Sequence, residues 1–198
     1  MGINPVLENL RTMTKSRSKT KWEESILPKV IIKYTSPRVR EVLKSKKLIV
    51  PSNVEVGSQY LYGTSHTGKT IHAHFCLIEW CKQQYLCGND FSDAMFVSTS
   101  LLLNQLRCII HTSGNPTELL STISGSPFLV LDDLGTSKTT DWVLEQLYLL
   151  INTRYEFMLP TIFTSNYSLD ELSIHLGDER IPSRIQAMCK IIKKDKIW

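Results

Sequence analysis

The octapeptide Gly63-Thr64-Ser65-His66-Thr67-Gly68-Lys69-Thr70 satisfies the pattern G-x-x-x-x-G-K-[ST] at every defined position, and it constrains this chain more than any other feature. Its glycines allow a loop that folds back until backbone N–H groups converge on an anion. The helix that begins inside it turns its positive dipole end to the same point. In such a loop Lys69 is expected to reach the β and γ phosphates of a nucleotide, and Thr70 to place its hydroxyl on Mg²⁺. The pattern needs a strand before it and a helix after it. Gln59-Tyr60-Leu61-Tyr62 reads as a short buried strand, and Ile71 to about Tyr85 as an apolar-rich helix, so both are present.

A second signal is Phe128-Leu129-Val130-Leu131-Asp132-Asp133, an apolar strand that ends in two carboxylates. Taken alone, an Asp pair at a strand end is a solvated turn. With a phosphate loop at the same edge of the sheet, Asp132 is expected to hold the magnesium shell and Asp133 to polarise an attacking water. Thr164-Ser165-Asn166 closes a further strand with an amide, which by itself is a turn former and in an ATPase of this plan can orient the water or sense the γ phosphate.

The remaining punctuation gives strands at Ala94–Val97, 127–131, 161–165 and 189–193. Helices are expected through Leu101, Leu102, Gln105 and Leu106, and after a Thr140 or Asp141 cap with Leu144, Tyr148, Ile151 and Tyr155 on one face. Leu101, Leu102, Leu103 and Leu106 read as core. Strands alternating with helices imply an α/β fold: a mainly parallel five-stranded sheet with helices on both faces. A chain of 198 residues, 42% hydrophobic and 21% charged, can bury such a core in one domain. That domain is expected over residues 51–198, behind a basic arm at 1–50 that Pro28 and Pro37 keep from running as one helix. A short helix is expected over 38–50, stopped by Pro51.

The charge is unevenly placed. Residues 1–50 hold 12 Lys and Arg against 4 Asp and Glu, whereas 51–198 hold 11 against 15, for a net +4 overall. Such an arm suits nucleic acid or a solvated tail equally. Lys33, Tyr34, Arg38 and Arg40 offer a basic and aromatic mixture in it, able in principle to stack on bases. Asn104, Gln105 and Arg107 mark a second candidate DNA-facing segment, Ser98 to His111, which also fits a plain amphipathic helix. Five cysteines without metal-ligand spacing point to reduced thiols, and no run of about 18 apolar residues predicts a membrane span, so a cytoplasmic protein is expected.

LDDLG at 131–135, EQLYLLINTRY at 145–155, PTIFTSN at 160–166 and GDERIPSRIQAMC at 177–189, with the phosphate loop, resemble in this order the AAA+ helicase loaders and transposition helpers typified by DnaC, DnaI and IstB. The resemblance covers roughly residues 55–198. It implies a P-loop NTPase of the AAA+ type, binding ATP and Mg²⁺, hydrolysing ATP, and loading a replicative helicase onto single-stranded DNA. It also implies that Asn166 is the first sensor, and that Arg180 or Arg184, of which Arg184 is favoured, is an arginine finger acting on a neighbouring subunit's nucleotide in a homo-oligomer. An IstB-like transposition helper on duplex DNA and a non-hydrolysing ATP-bound adaptor remain open alternatives. His66 stands where many relatives have glycine, so a stiffer loop is expected. A C-terminal lid domain is not expected.

Overall fold

The computed structural model describes residues 18–45, 54–112, 114–137 and 140–195. Five strands, β1 (Gln59–Tyr62), β2 (Met95–Ser98), β3 (Leu129–Leu134), β4 (Thr161–Ser165) and β5 (Lys190–Lys193), form one sheet in the order β2-β3-β4-β1-β5. All four neighbouring pairs are parallel. Parallel neighbours need long crossovers, which the helices after β1 supply, and among the described residues three more helices precede it. In chain order they are α1 (Lys19–Lys21), α2 (Leu27–Tyr34), α3 (Pro37–Ser45), α4 (Lys69–Cys87), α5 (Thr99–His111), α6 (Thr117–Ser124), α7 (Asp141–Glu156), α8 (Leu169–Leu176) and α9 (Arg180–Met188).

Successive strand residues point to opposite faces, so each central strand feeds two cores. Tyr60, Leu129, Leu131 and Phe163 face α5, α7, α8 and α9. Leu61, Phe128, Val130 and Ile162 face α4. This double burial is why these strands read as continuous apolar runs rather than alternating ones.

Part of the basic N-terminal segment is built into the second of these cores. A π-helical turn, Trp22–Ile26, joins α1 to α2, and Leu27 donates its N–H to the Trp22 carbonyl across the wider turn. Pro28 therefore sits in the first turn of α2 instead of interrupting the helix, because the turn before it has already shifted the carbonyl that its ring would strike. Trp22 is 1% exposed and lies 5.5 Å from the Tyr85 ring and 6.1 Å from that of Phe91. Burying a side chain of this size contributes roughly 4–5 kcal/mol by area.

Three further expectations are corrected. Tyr34 is buried and donates its hydroxyl to the Phe91 carbonyl at 3.1 Å, so its ring is taken by the core and does not stack on bases. Leu101 is 65% exposed, whereas Leu102, Leu103 and Leu106 are core as expected. In α7 the buried stripe is Val143, Leu147, Leu150, Ile151 and Arg154, one residue behind the expected face. An arginine in that stripe disguised it. Arg154 is fully buried without a carboxylate, and it donates to the carbonyls of Ser124, Ser126 and Pro160 at 2.8–2.9 Å and to the Thr161 hydroxyl at 2.7 Å. Burial pushes its pKa down to about 10. The helix expected over 38–50 is observed as α3 as far as Ser45; residues 46–50 and its stop at Pro51 lie outside the described residues.

Candidate functional site: a phosphate loop and two carboxylates

Parallel strands direct their carboxyl ends to one edge, and the chain there passes from β1 into the loop 63–68, from β3 into Gly135 and from β4 into Asn166. Because β4 lies between β1 and β3, its last residues touch both the loop and the carboxylates. The loop is set by backbone geometry. Gly63 has φ 142°, and a Cβ there would collide with the Lys194 carbonyl; Gly68, at φ 82°, precedes the first turn of α4. His66 takes φ 66°, a left-handed conformation that costs an L residue roughly 1–2 kcal/mol.

Lys69 is 7% exposed, and its ammonium donates to the carbonyls of Gly63 (2.7 Å) and Thr64 (2.8 Å) and to Asn166 Oδ1 (3.0 Å). Burial lowers its pKa, and the nearby Asp133 and Asp132 carboxylates oppose that shift. Thr67 donates to the Thr64 carbonyl at 2.9 Å and closes the loop on itself.

Asp132 accepts from the Thr70 hydroxyl at 3.1 Å and from the Thr164 hydroxyl at 2.6 Å. Its pKa is raised: burial raises it most, Asp133 adds to this, and the Thr164 and Thr70 hydrogen bonds and Lys69 oppose it. Thr70 and Asp132 thus present hard oxygens a hydrogen bond apart, a donor set that fits Mg²⁺, which takes few protein ligands beside phosphate and water. Among the described residues no group of three His, Cys, Asp or Glu could hold a metal ion.

Asp133 adopts φ 65° at a bulge. Leu131 pairs with Phe163 and Leu134 with Ser165, so β3 spends one residue more than β4 over this stretch. Thr164 holds the bulge from the neighbouring strand: its hydroxyl oxygen accepts the Asp133 N–H at 2.8 Å while its proton goes to Asp132. The sequence reading assigned Thr164 no role, and the only trace of one was its place two residues before Asn166.

Residues 65–70, Ile71, Asp132, Asp133, Thr164 and Asn166 line a cavity of about 560 Å³. Arg38, Val39 and Val42 of α3 line it too, which the sequence did not suggest. Arg180 and Arg184 lie elsewhere, on α9. Arg180 forms a bidentate pair with Asp178 (Nη2 to Oδ2 2.8 Å, Nε to Oδ1 3.2 Å), reaches Glu145 at 3.4 Å and lies over the Tyr148 ring. Arg184 is half-buried, donates to Asn152 Oδ1 at 2.9 Å and lies over the Tyr155 ring. Of the DNA-facing candidates on α5, Asn104 and Gln105 are exposed, and Arg107 donates to Asn104 at 3.0 Å.

A parallel sheet in this strand order, with the phosphate loop after β1, the carboxylates on β3 and a polar residue, Asn166, after β4, defines a P-loop protein of the AAA+ type, built to bind ATP. Residues 53–193 match the family described as IstB-like ATP binding protein, and the chain belongs to that family. It is 30% identical over 117 residues to the replicative helicase loader DnaI of Bacillus subtilis, a match that spans 59% of this chain and 35% of that protein. Among solved structures, the DnaC helicase loader superposes with a TM-score of 0.55 at 25% identity, covering 82% of this chain and 93% of that one. DnaI gives 0.59 at 25% identity, covering 80% and 82%. DnaA from Aquifex aeolicus bound to AMPPCP gives 0.59 at 16% identity, covering 81% and 48%, a likeness of fold alone.

Proposed function

We propose that this chain is an ATP-hydrolysing subunit that helps to load a replicative helicase onto single-stranded DNA in the cytoplasm. The convergence of Lys69, Thr70, Asp132, Thr164 and Asn166 at one sheet edge carries the enzymatic part of this reading. The likeness to DnaI and DnaC supports the helicase partner. Among the described residues no helix is long and apolar enough to cross a membrane.

In this mechanism the loop N–H groups and Lys69 bind the phosphates, and Lys69 exchanges its carbonyl partners for phosphate oxygens. Thr70 and Asp132 would hold Mg²⁺, which when bound would supply positive charge to offset that developing on the phosphates. Asp133 accepts the proton of the attacking water, held at the correct angle by its bulge and by Thr164. Asn166 reaches from Lys69 toward the γ phosphate and orients that water. Arg184 of a second copy, or Arg180 beside it, supplies the trans cation. Each arginine must first leave its own chain's partners, so neighbour contact and charge neutralisation are coupled.

The test is the hydrolysis rate per subunit against protein concentration, with and without single-stranded DNA. The rate is expected to rise with both, and to fall by about 10³ in Arg184→Ala. A rate independent of concentration overturns the shared site. Lys69→Ala is expected to lose nucleotide binding, and retained tight binding overturns the site itself. The family match also favours a second reading, a transposition helper, for which filaments on duplex DNA with a transposase partner are expected. Stable ATP occupancy without turnover would instead assign a non-hydrolysing adaptor.

A further inference from the structure

Among the described residues β5 is an edge of the sheet, paired with β1. Successive strand residues alternate in direction, and Ile192 packs into the core on the α4 side, so Lys190 and Lys194 extend to that side as well. Each of these two cations is tied down there. Lys190 pairs with Glu55 at 2.6 Å. Lys194 hydrogen-bonds Nδ1 of His72, in the first turn of α4, at 3.2 Å.

An ammonium has no lone pair to offer, so Lys194 donates, His72 Nδ1 accepts and Nε2 carries the ring proton. That proton goes to Gln59 Oε1 at 3.2 Å, and the Gln59 amide donates in turn to the Glu55 carbonyl at 2.7 Å. Glu55, Gln59 and His72 thus make a chain of polar contacts from one end of β5 to the other. The imidazole in it is neutral, because burial first, and the charge of Lys194 after it, hold its pKa down to about 4.

The end of β5 that this chain fixes is the one that meets the phosphate loop. The Lys194 N–H donates to the Tyr62 carbonyl at 2.7 Å, and the Lys194 carbonyl fills the space in which a Cβ of Gly63 would lie. The Gly63 carbonyl also accepts from the Lys69 ammonium at 2.7 Å. Gly63 therefore meets the backbone of one lysine and the side chain of another.

We infer that Lys194 and His72 are positioning residues for the phosphate loop: their hydrogen bond clamps the end of β5 against Gly63 and keeps the loop in register when Lys69 turns from its carbonyl partners to phosphate. The inference rests on the ATP-binding reading of the cavity. Neither residue is among the described residues that line that cavity, so both act through Gly63 and not on the nucleotide. A loop held in its binding conformation beforehand leaves less ordering to be done when the ligand arrives, so the clamp is felt as affinity.

Two measurements on the full chain test this: binding of a non-hydrolysable ATP analogue with Mg²⁺, and amide hydrogen exchange without nucleotide. Lys194→Met keeps the aliphatic stem and removes the donor. It is expected to weaken analogue binding about tenfold and to speed exchange of the amides of residues 63–68 about tenfold, with those of β3 unchanged. Lys194→Arg, which keeps a donor, is expected to recover part of both. Lys193→Met removes the same charge from the opposite side of the strand, where Lys193 pairs with Asp195, and is expected to behave as wild type. Adding His72→Phe to Lys194→Met is expected to cost no further affinity, since one hydrogen bond is lost only once. Wild-type affinity and loop exchange in Lys194→Met overturn the inference and leave the ATP site standing. Faster exchange in β3 as well as the loop overturns it too, because Lys194 then serves the whole fold, and so does an equal loss in Lys193→Met, which reduces the effect to net charge. Wild-type protein that binds no analogue overturns the ATP-binding reading and the inference with it.

Discussion

The sheet edge at Gly63 to Thr70 and the helical segment at Trp22 to Tyr34 are held by opposite means. At the edge, order comes from polar groups that satisfy one another, with Lys69, Thr70, Asp132, Thr164 and Asn166 linked by hydrogen bonds of 2.6–3.1 Å. In the N-terminal segment it comes from apolar burial, with Trp22, Val30 and Tyr34 packed on α4. The polar network sits beside backbone in left-handed conformations, at His66 and Asp133. A wedge of aromatic rings is held for stability and tolerates no void.

Changes in the two regions should therefore read out differently. Trp22→Ala should remove about 3–5 kcal/mol of unfolding free energy, seen in a denaturant titration, while nucleotide affinity of the folded protein holds. An equal loss of affinity would show that the two regions act as one unit.

A titration tests the ground between them. His74 on α4 is 2% exposed, stacks 4.0 Å from Phe96, and burial holds its pKa down to about 4. The folded protein keeps His74 neutral while the unfolded chain protonates it near 6.5, so its contribution is complete above about 6.5 and is lost as pH falls toward 4. On the order of 3 kcal/mol should disappear across that window. His74→Leu should remove that share of the pH dependence in parallel denaturation curves at pH 7 and 4.5.

Thr164→Val, which leaves the Asp133 N–H without its acceptor, should cost about 1–3 kcal/mol of stability, lower hydrolysis about 10–100-fold and raise the Mg²⁺ needed for half-maximal rate, with Thr164→Ser restoring all three. A Thr164→Val protein with normal magnesium dependence would move the threonine from the site to the scaffold. The smallest effect is expected at the loop, where His66→Gly relieves a left-handed residue at an entropic cost. The net gain should not exceed about 1 kcal/mol, which is a rise in Tm of roughly 2–4 °C.

Much of the site was legible because its chemistry is written in contiguous residues. The phosphate loop forms as one local turn, and the apolar run before Asp132 and Asp133 is a strand whatever lies beside it. The helix caps at Thr140 and the strand 161–165 were legible for the same reason. The capping box of Ser168 and Glu171 that starts α8 was equally local and went unread. Arg154 hid the stripe of α7 because a buried cation looks like a surface residue until the carbonyls that receive it are in place.

By itself the sequence determined the alternation of strands and helices, the glycine-bounded loop between β1 and α4, and the two carboxylates that end the apolar run of β3, since each depends on neighbours along the chain. Tertiary structure alone decided that β4 enters between β1 and β3, and so brought Thr164 to the Asp132 carboxylate and the Asp133 N–H, and Asn166 to Lys69 across 97 residues of chain. It also decided that Trp22 is core and that Arg38 borders the nucleotide cavity. The physical reason is the same in each case: burial and hydrogen bonding between distant residues depend on which surfaces meet, and composition cannot specify that when the segment is basic and its few apolar side chains are spread along it.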